Sequence, residues 1–222
     1  MLVILAIDTA TRSISIALAE EGRALAEAVW QSENNHTTEL APAVERMLIE
    51  SGVAVKALTA IAVAIGPGSF TGVRIGLGFA KGLALARGDL PLVGVRTLDI
   101  AVRALPIDEG EAVAVIQAGR GRVVWARYSA RAGRWESAND GVVGSWEDVS
   151  RSATGSVVVG EIDSRGMDVL QGAGVRVASA DQNVRRASRL AEMAWERWRR
   201  GEVDSAAALM PVYAHQPTSG ET

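Results

Sequence analysis

The chain contains no cysteine. Disulfides, thiolate nucleophiles and cysteine-ligated metals are therefore excluded together, and the absence fits a reducing, cytoplasmic setting. Histidine is nearly as scarce. His36 and His215 are the only two, and no His-x-x-x-His pair exists to set two imidazoles on one helical face, so a histidine-based metal site has very weak support. Charge of one sign is missing as well: 23 basic residues against 26 acidic leave −3, which does not mark a nucleic-acid binder. No apolar run approaches the ~18 residues of a membrane span. The N-terminal run, residues 2–7, meets Asp8 and lacks a basic lead-in, so it reads as a strand rather than a signal peptide. Internal repeats and low-complexity tracts are absent too, apart from a polar tail from Gln216.

What is present is a chain of 222 residues, 48% hydrophobic and 22% charged, long enough for one large domain or two small ones with real cores. It is organised around residues 66–76, G-P-G-S-F-T-G-V-R-I-G. An apolar, β-branched run at 60–65 precedes this stretch and predicts a buried strand. A Leu- and Ala-rich run to residue 86 follows it and predicts a helix. A glycine-rich turn between strand and helix can offer backbone amides to an anion, or be a tight turn in which Ser69 or Thr71 caps the helix. The spacing is neither G-x-G-x-x-G nor a P-loop, and both readings stay open.

The helix carries small residues in two rows, Gly72, Gly76, Ala80, Ala84 and Gly88, then Gly78, Gly82 and Ala86. Each interior glycine costs roughly 1 kcal/mol of helix stability, so the rows ask for a packing reason. Val73, Ile75, Leu77, Phe79, Leu83 and Leu85 lie between them, and a helix apolar nearly all round should be covered on nearly all sides. The cover is either another helix of this chain or a partner subunit.

Elsewhere the pattern predicts strands at 2–7, 13–19 and 24–29, a helix at 36–51, a strand at 91–95 and a short helix at 97–104. The resulting order, β-β-β-α-β-α-β-α, is that of a ribonuclease-H-like domain. Asp8 and Thr9, at the end of the first strand, stand where a nucleotide or metal-bound phosphate could sit or where turn amides need partners. His36 reads as a capping or solvent-facing residue. A boundary is expected near 105–110, giving lobes at 1–106 and 107–222. In the second, strands are expected at 112–117, 123–128, 157–159 and 175–178, with a glycine-arginine hairpin holding Arg120 and Arg122. The last helix, 184–200, shows Arg185, Arg186, Arg189, Arg197, Arg199 and Arg200 outward, either as a solvated face or as a contact for RNA or an acidic partner.

Ile4-Leu-Ala-Ile-Asp-Thr9, His36-Thr37, the 66–76 segment and Gly82-Leu-Ala84 together resemble the TsaB (YeaZ) family of bacterial tRNA-modification proteins. The resemblance covers the first hundred residues and continues in outline at 118–125 and 211–213. Gln117 departs from it where an Asp is usual, and Ala214-His215 from the usual Leu-Arg. The resemblance implies an α/β chain of two ribonuclease-H-like lobes in the actin/Hsp70/sugar-kinase (ASKHA) fold. It also implies a subunit that pairs with a catalytic paralogue, TsaD, which holds the metal and transfers a threonylcarbamoyl group to the adenosine beside the tRNA anticodon. An ATPase, TsaE, joins that pair.

On this reading the chain has no catalytic or metal-binding residues of its own, and requires no cofactor. Asp8, Thr9, Gly66, Gly68 and Ser69 would form a vestigial nucleotide site with weak ATP or ADP binding. The partner surface is expected on helices 36–51 and 71–87, at Leu40, Gly72, Val73, Gly76, Leu77, Ala80 and Lys81. The chain alone would form a two-fold homodimer through that surface, and bulk at Gly76 or Ala80 would weaken pairing without disturbing the fold. tRNA would be met through the complex, with no membrane involved. The alternative is a nucleotide-binding ATPase or kinase using Asp8 and the 66–76 turn. A peptidase is disfavoured, since Ser69 has no neighbouring histidine or lysine in sequence to activate it.

Overall fold

The computed structural model describes residues 2–33, 35–88, 90–107, 110–119 and 121–214. Their contacts divide them into two units, one of residues up to 97 with 186–212, the other of residues 98–185 with 213–214.

In the first unit, β1 (Val3–Asp8), β2 (Ser13–Glu20) and β3 (Arg23–Gln31) form an antiparallel meander. After helix α1 (His36–Glu50) comes β4 (Leu58–Ala64), which lies parallel to β1. Helix α2 (Phe70–Ala86) then leads to β5 (Leu92–Val95), parallel to β4. The sheet order is β3-β2-β1-β4-β5. Every residue of β1 is buried, which is why its sequence is a continuous apolar run. Leu5, Ile7, Ile61 and Val63 share one core with Leu40, Val44 and Met47 of α1 and Leu77, Ala80 and Ala84 of α2.

The alternation in β2 predicts a half-buried strand, yet Ile14 through Ala19 are all buried. The last helix, α6 (Ala187–Arg199), explains this. It lies along the sheet with Ala187, Leu190, Ala191 and Ala194 buried, and the Ala187 amide donates to Ser15 Oγ at 2.7 Å. A sheet needs cover on both faces, and α6 returns to supply it. The expected division at 106/107 therefore differs from the one observed: the chain leaves the first unit after residue 97 and comes back at 186.

Helix α3 (Thr97–Val102) starts on the last residue of the first unit and leads into the second. Strands β6 (Glu111–Gln117), β7 (Val123–Arg131), β8 (Arg134–Ser137) and β9 (Val142–Gly144) follow, then α4 (Trp146–Ser152), β10 (Val157–Gly160), α5 (Ser164–Gly172) and β11 (Arg176–Val177). The sheet runs β8-β7-β6-β10-β11, with β9 also on β7. The meander β6-β7-β8 is antiparallel, and β10 and β11 are parallel to β6. Each unit thus repeats one order, three antiparallel strands followed by two parallel ones, as expected for ribonuclease-H-like lobes. Helix α5, absent from the sequence expectation, starts at Asp163, whose Oδ1 accepts from the Gly166 amide at 2.7 Å. Arg120, His215 and the tail from Gln216, all singled out above, lie outside the described residues.

Candidate functional site

The glycine-rich stretch meets the turn that follows β1. Asp8 is fully buried, and its Oδ1 accepts from the Ala10 amide at 3.0 Å. Thr9, also buried, donates from Oγ1 to the Gly72 carbonyl at 2.7 Å. The Ser69 amide donates to the Ala10 carbonyl at 2.6 Å, and Ser69 Oγ caps α2 by accepting from the Gly72 amide at 3.2 Å. A Cβ on Gly72 would collide with the Thr9 carbonyl oxygen, and one on Gly76 with Thr9 Oγ1. The glycines are thus required for close approach of the chain's own 8–10 turn. A Cβ on Gly68 would likewise strike the Ala10 carbonyl. At this helix start the Ser69 amide is taken by the Ala10 carbonyl and the Gly72 amide by Ser69 Oγ.

The same geometry corrects the expected partner surface. Leu40, Val73, Leu77 and Ala80 are buried in the core of their own unit, and Gly72 and Gly76 are buried against Thr9. Of the expected residues only Lys81 is half-exposed. The physical reason is that the sheet and the Thr9 turn already occupy that side of α2, so the first small row has its packing partner within the chain.

The second row lies open. A Cβ built at Gly78 or Gly82 meets no described atom within 4 Å, and Phe70, Thr71, Arg74, Leu85 and Ala86 are exposed beside it. Phe70 is 55% exposed and Leu85 61%, and with the open glycines they make one exposed face of α2 rather than scattered single side chains. Arg74 lies over the Phe70 ring at 3.6 Å. Helix α1 adds Ala41, Pro42 and Ile49, the last 72% exposed. Helix α1 joins β3 to β4 and α2 joins β4 to β5, and the two helices pack against each other. The sequence displayed both small rows but not which one faced outward. That depended on the Thr9 turn, whose approach to α2 is a contact across more than sixty residues of chain.

His36 is buried, not solvent-facing, and its Nε2 donates to the Thr11 carbonyl at 2.9 Å. The arginines of the last helix are mostly engaged. Arg185 is buried and donates to Glu161 Oε1 at 2.7 Å, against the expectation that it points outward. Arg186 pairs with Glu27 at 2.9 Å, Arg197 donates to the Gly94 carbonyl at 2.6 Å, and Arg200 pairs with Glu202 at 2.7 Å. Gln117 sits at the end of β6, where its amide donates to Glu161 Oε2 at 3.2 Å and its Nε2 to Asp163 Oδ2 at 3.3 Å. Among the described residues no group of three or more His, Asp or Glu side chains is placed to hold a metal ion, and no helix is long and apolar enough to cross a membrane.

A family model described as "TsaD: tRNA N6-adenosine threonylcarbamoyltransferase" matches residues 28–160. The chain is 42% identical over 127 residues to the "tRNA threonylcarbamoyladenosine biosynthesis protein TsaB" of Escherichia coli (strain K12), covering 56% of this chain and 54% of that protein. It spans about half the length of the curated relatives it matches. Among solved structures, YeaZ from Pseudomonas aeruginosa superposes with a TM-score of 0.78 at 32% identity, over 96% of this chain and 100% of that one. The ethanolamine utilization protein EutJ from Carboxydothermus hydrogenoformans shares the fold alone, with a TM-score of 0.52 at 17% identity over 85% of this chain and 88% of that one. A likeness to YeaZ that takes in the whole of the relative at such identity goes beyond a common fold, and the chain belongs to the TsaB (YeaZ) family, within the wider family that the TsaD model describes.

Proposed function

We propose that this chain is a non-catalytic pairing and activating subunit in the formation of N6-threonylcarbamoyladenosine in tRNA. It would associate with a TsaD-type catalytic subunit and, through that pair, with a TsaE-type ATPase and with tRNA. The observation that carries this reading is the outer face of α1 and α2. There Phe70, Leu85 and Ile49 are exposed beside a glycine row open enough for another helix to approach closely. A helix pair meeting this face would bury the apolar side chains and place its own backbone over Gly78 and Gly82. In the absence of the partner the same face would pair two copies about a two-fold axis. No nucleotide is needed for this role. In support, Asp8 is fully buried, and the Ser69 and Gly72 amides at the start of α2 are already taken within the chain.

The test is reconstitution. The TsaD-type subunit is assayed for modified adenosine with this chain, without it, and with a Leu85→Glu variant. The reading expects modification with the wild type, and loss of both pairing and modification with the variant. Full activity of the catalytic subunit alone would overturn it. Calorimetry with ATP and magnesium on the isolated chain separates this reading from a nucleotide-driven enzyme, which requires stoichiometric, tight binding.

A further inference from the structure

The C-terminal turn of α6 carries a feature that helix pairing does not use. Trp195 and Trp198 stack on each other, ring centroids 5.2 Å apart and planes within 16° of parallel. Both are only partly buried. Trp195 is held against the β2–β3 hairpin, where a Cβ on Gly22 would come within 2.9 Å of Trp195 Cδ1. The pair borders a cleft of about 780 Å³ whose other walls are Leu2, Glu21, Arg199 and Gly201. Glu21, exposed at the hairpin tip, is held there with a left-handed backbone, φ 50°. Arg199 is exposed on the neighbouring side, while Arg197 and Arg200 on either side of it are tied to Gly94, Glu202 and Asp204. The helix end itself is closed, since the Gly201 amide donates to the Trp198 carbonyl and the Glu202 amide to the Arg197 carbonyl.

We propose that this cleft is a binding site for one unpaired nucleotide of RNA whose base carries an exocyclic amine, adenine or cytosine. It rests on the reading that the chain works on tRNA. The indole pair gives the base a flat, polarisable surface. The Glu21 carboxylate accepts from the exocyclic amine or a ribose hydroxyl. Arg199 meets the adjoining phosphate. A cleft of this size accommodates a nucleotide, and the exposed Arg199 on its wall fits a single phosphate contact rather than a basic surface that tracks a backbone. Because most arginines of α6 are already paired, binding here depends on stacking more than on charge. That distinguishes it from nonspecific attraction of RNA to a basic helix.

The experiment is fluorescence anisotropy of labelled six-nucleotide RNAs, A6, C6 and U6, titrated with the full chain at 50 and 200 mM salt. AMP is used as competitor. Expected are binding of A6 and C6 over U6, a salt slope of about −0.7 as for one phosphate contact on a single strand, and AMP competing more weakly than A6. Trp198→Ala should weaken A6 binding at least ~5-fold. Arg199→Gln should flatten the salt slope, and Glu21→Gln should narrow the preference for A6 over U6. The two surface variants keep the test decisive if Trp198→Ala fails to fold. Equal binding by all three variants, absence of RNA binding, or a steep slope that Arg199→Gln leaves unchanged would overturn the site. AMP binding as tightly as A6 would overturn RNA as its source. A pull-down with the TsaD-type subunit runs in parallel: retained pairing with lost RNA binding locates the failure at this cleft, whereas lost pairing locates it in the proposed function.

Discussion

Substituting alanine at Gly76 and at Gly82 places the same methyl on the same helix in opposite surroundings. At Gly76 the new Cβ runs into Thr9 Oγ1, a buried hydroxyl that donates to the Gly72 carbonyl at 2.7 Å. Thr9 is β-branched and sits 1% exposed, so it has no free rotamer to retreat into. Overpacking of a tight core costs about 1–3 kcal/mol. Loss of the buried hydrogen bond adds about 1–3 kcal/mol. The gain in helix propensity returns about 1 kcal/mol. The net is a destabilisation centred near 3 kcal/mol. At Gly82 the methyl meets no described atom, and only the propensity gain remains, up to about 1 kcal/mol of stabilisation. Urea unfolding followed by circular dichroism reads both. With a slope of about 2–3 kcal/mol/M, Gly76→Ala should lower the midpoint by about 1 M and Gly82→Ala should raise it slightly. Equal midpoints for the two variants would refute the assignment of one row to the chain's interior and the other to its surface. A lowered midpoint for Gly82→Ala would do the same.

Two further outcomes follow from ion pairs, one partly exposed and one buried. Burial pushes the Glu27 carboxyl up, but hydrogen bonds from Ser188 and the Arg186 guanidinium outweigh it and hold the group below its ordinary 4.5. A depressed carboxylate contributes stability above its unfolded pKa and loses it as pH falls through the folded value. Glu27→Gln should therefore cost about 1–2 kcal/mol at pH 7 and make the acid limb of the stability profile below pH ~4.5 shallower, as read by thermal melts across pH. In the second unit, Arg185→Met would leave Glu161 without its buried cation and should destabilise by about 3–5 kcal/mol, visible as a loss of protection from hydrogen exchange in β6 and β10.

Much of the fold was legible because the strand runs of β1 and β6 are buried and continuous, and α1 carries an apolar stripe at helical spacing. The positions of β1, β2, α1, α2 and β6 follow from composition and period alone. The role of the last helix was harder to read. Its apolar residues predicted a packed helix but not that its sheet lay more than a hundred and fifty residues back, and so the unit boundary was misplaced. Helix α5 was missed because its stretch from 164 to 172 is short and holds Gly166 and Gly172, and its start is marked only by the Asp163 cap. At the candidate site, the small rows identified the right helix. Choosing between them required knowing that Thr9 packs on Gly76, a long-range contact with no local signature. Arg185 was misread for the same reason, since its partner Glu161 lies on another element.

The central claim, that a foreign helix lies across the outer side of α2, is tested most directly by sedimentation of this chain with a TsaD-type subunit after Gly82→Trp. An indole there projects from an open position and should not lower the melting temperature of the isolated monomer, while abolishing the mixed complex. A complex that forms as readily as with the wild-type chain would contradict the account.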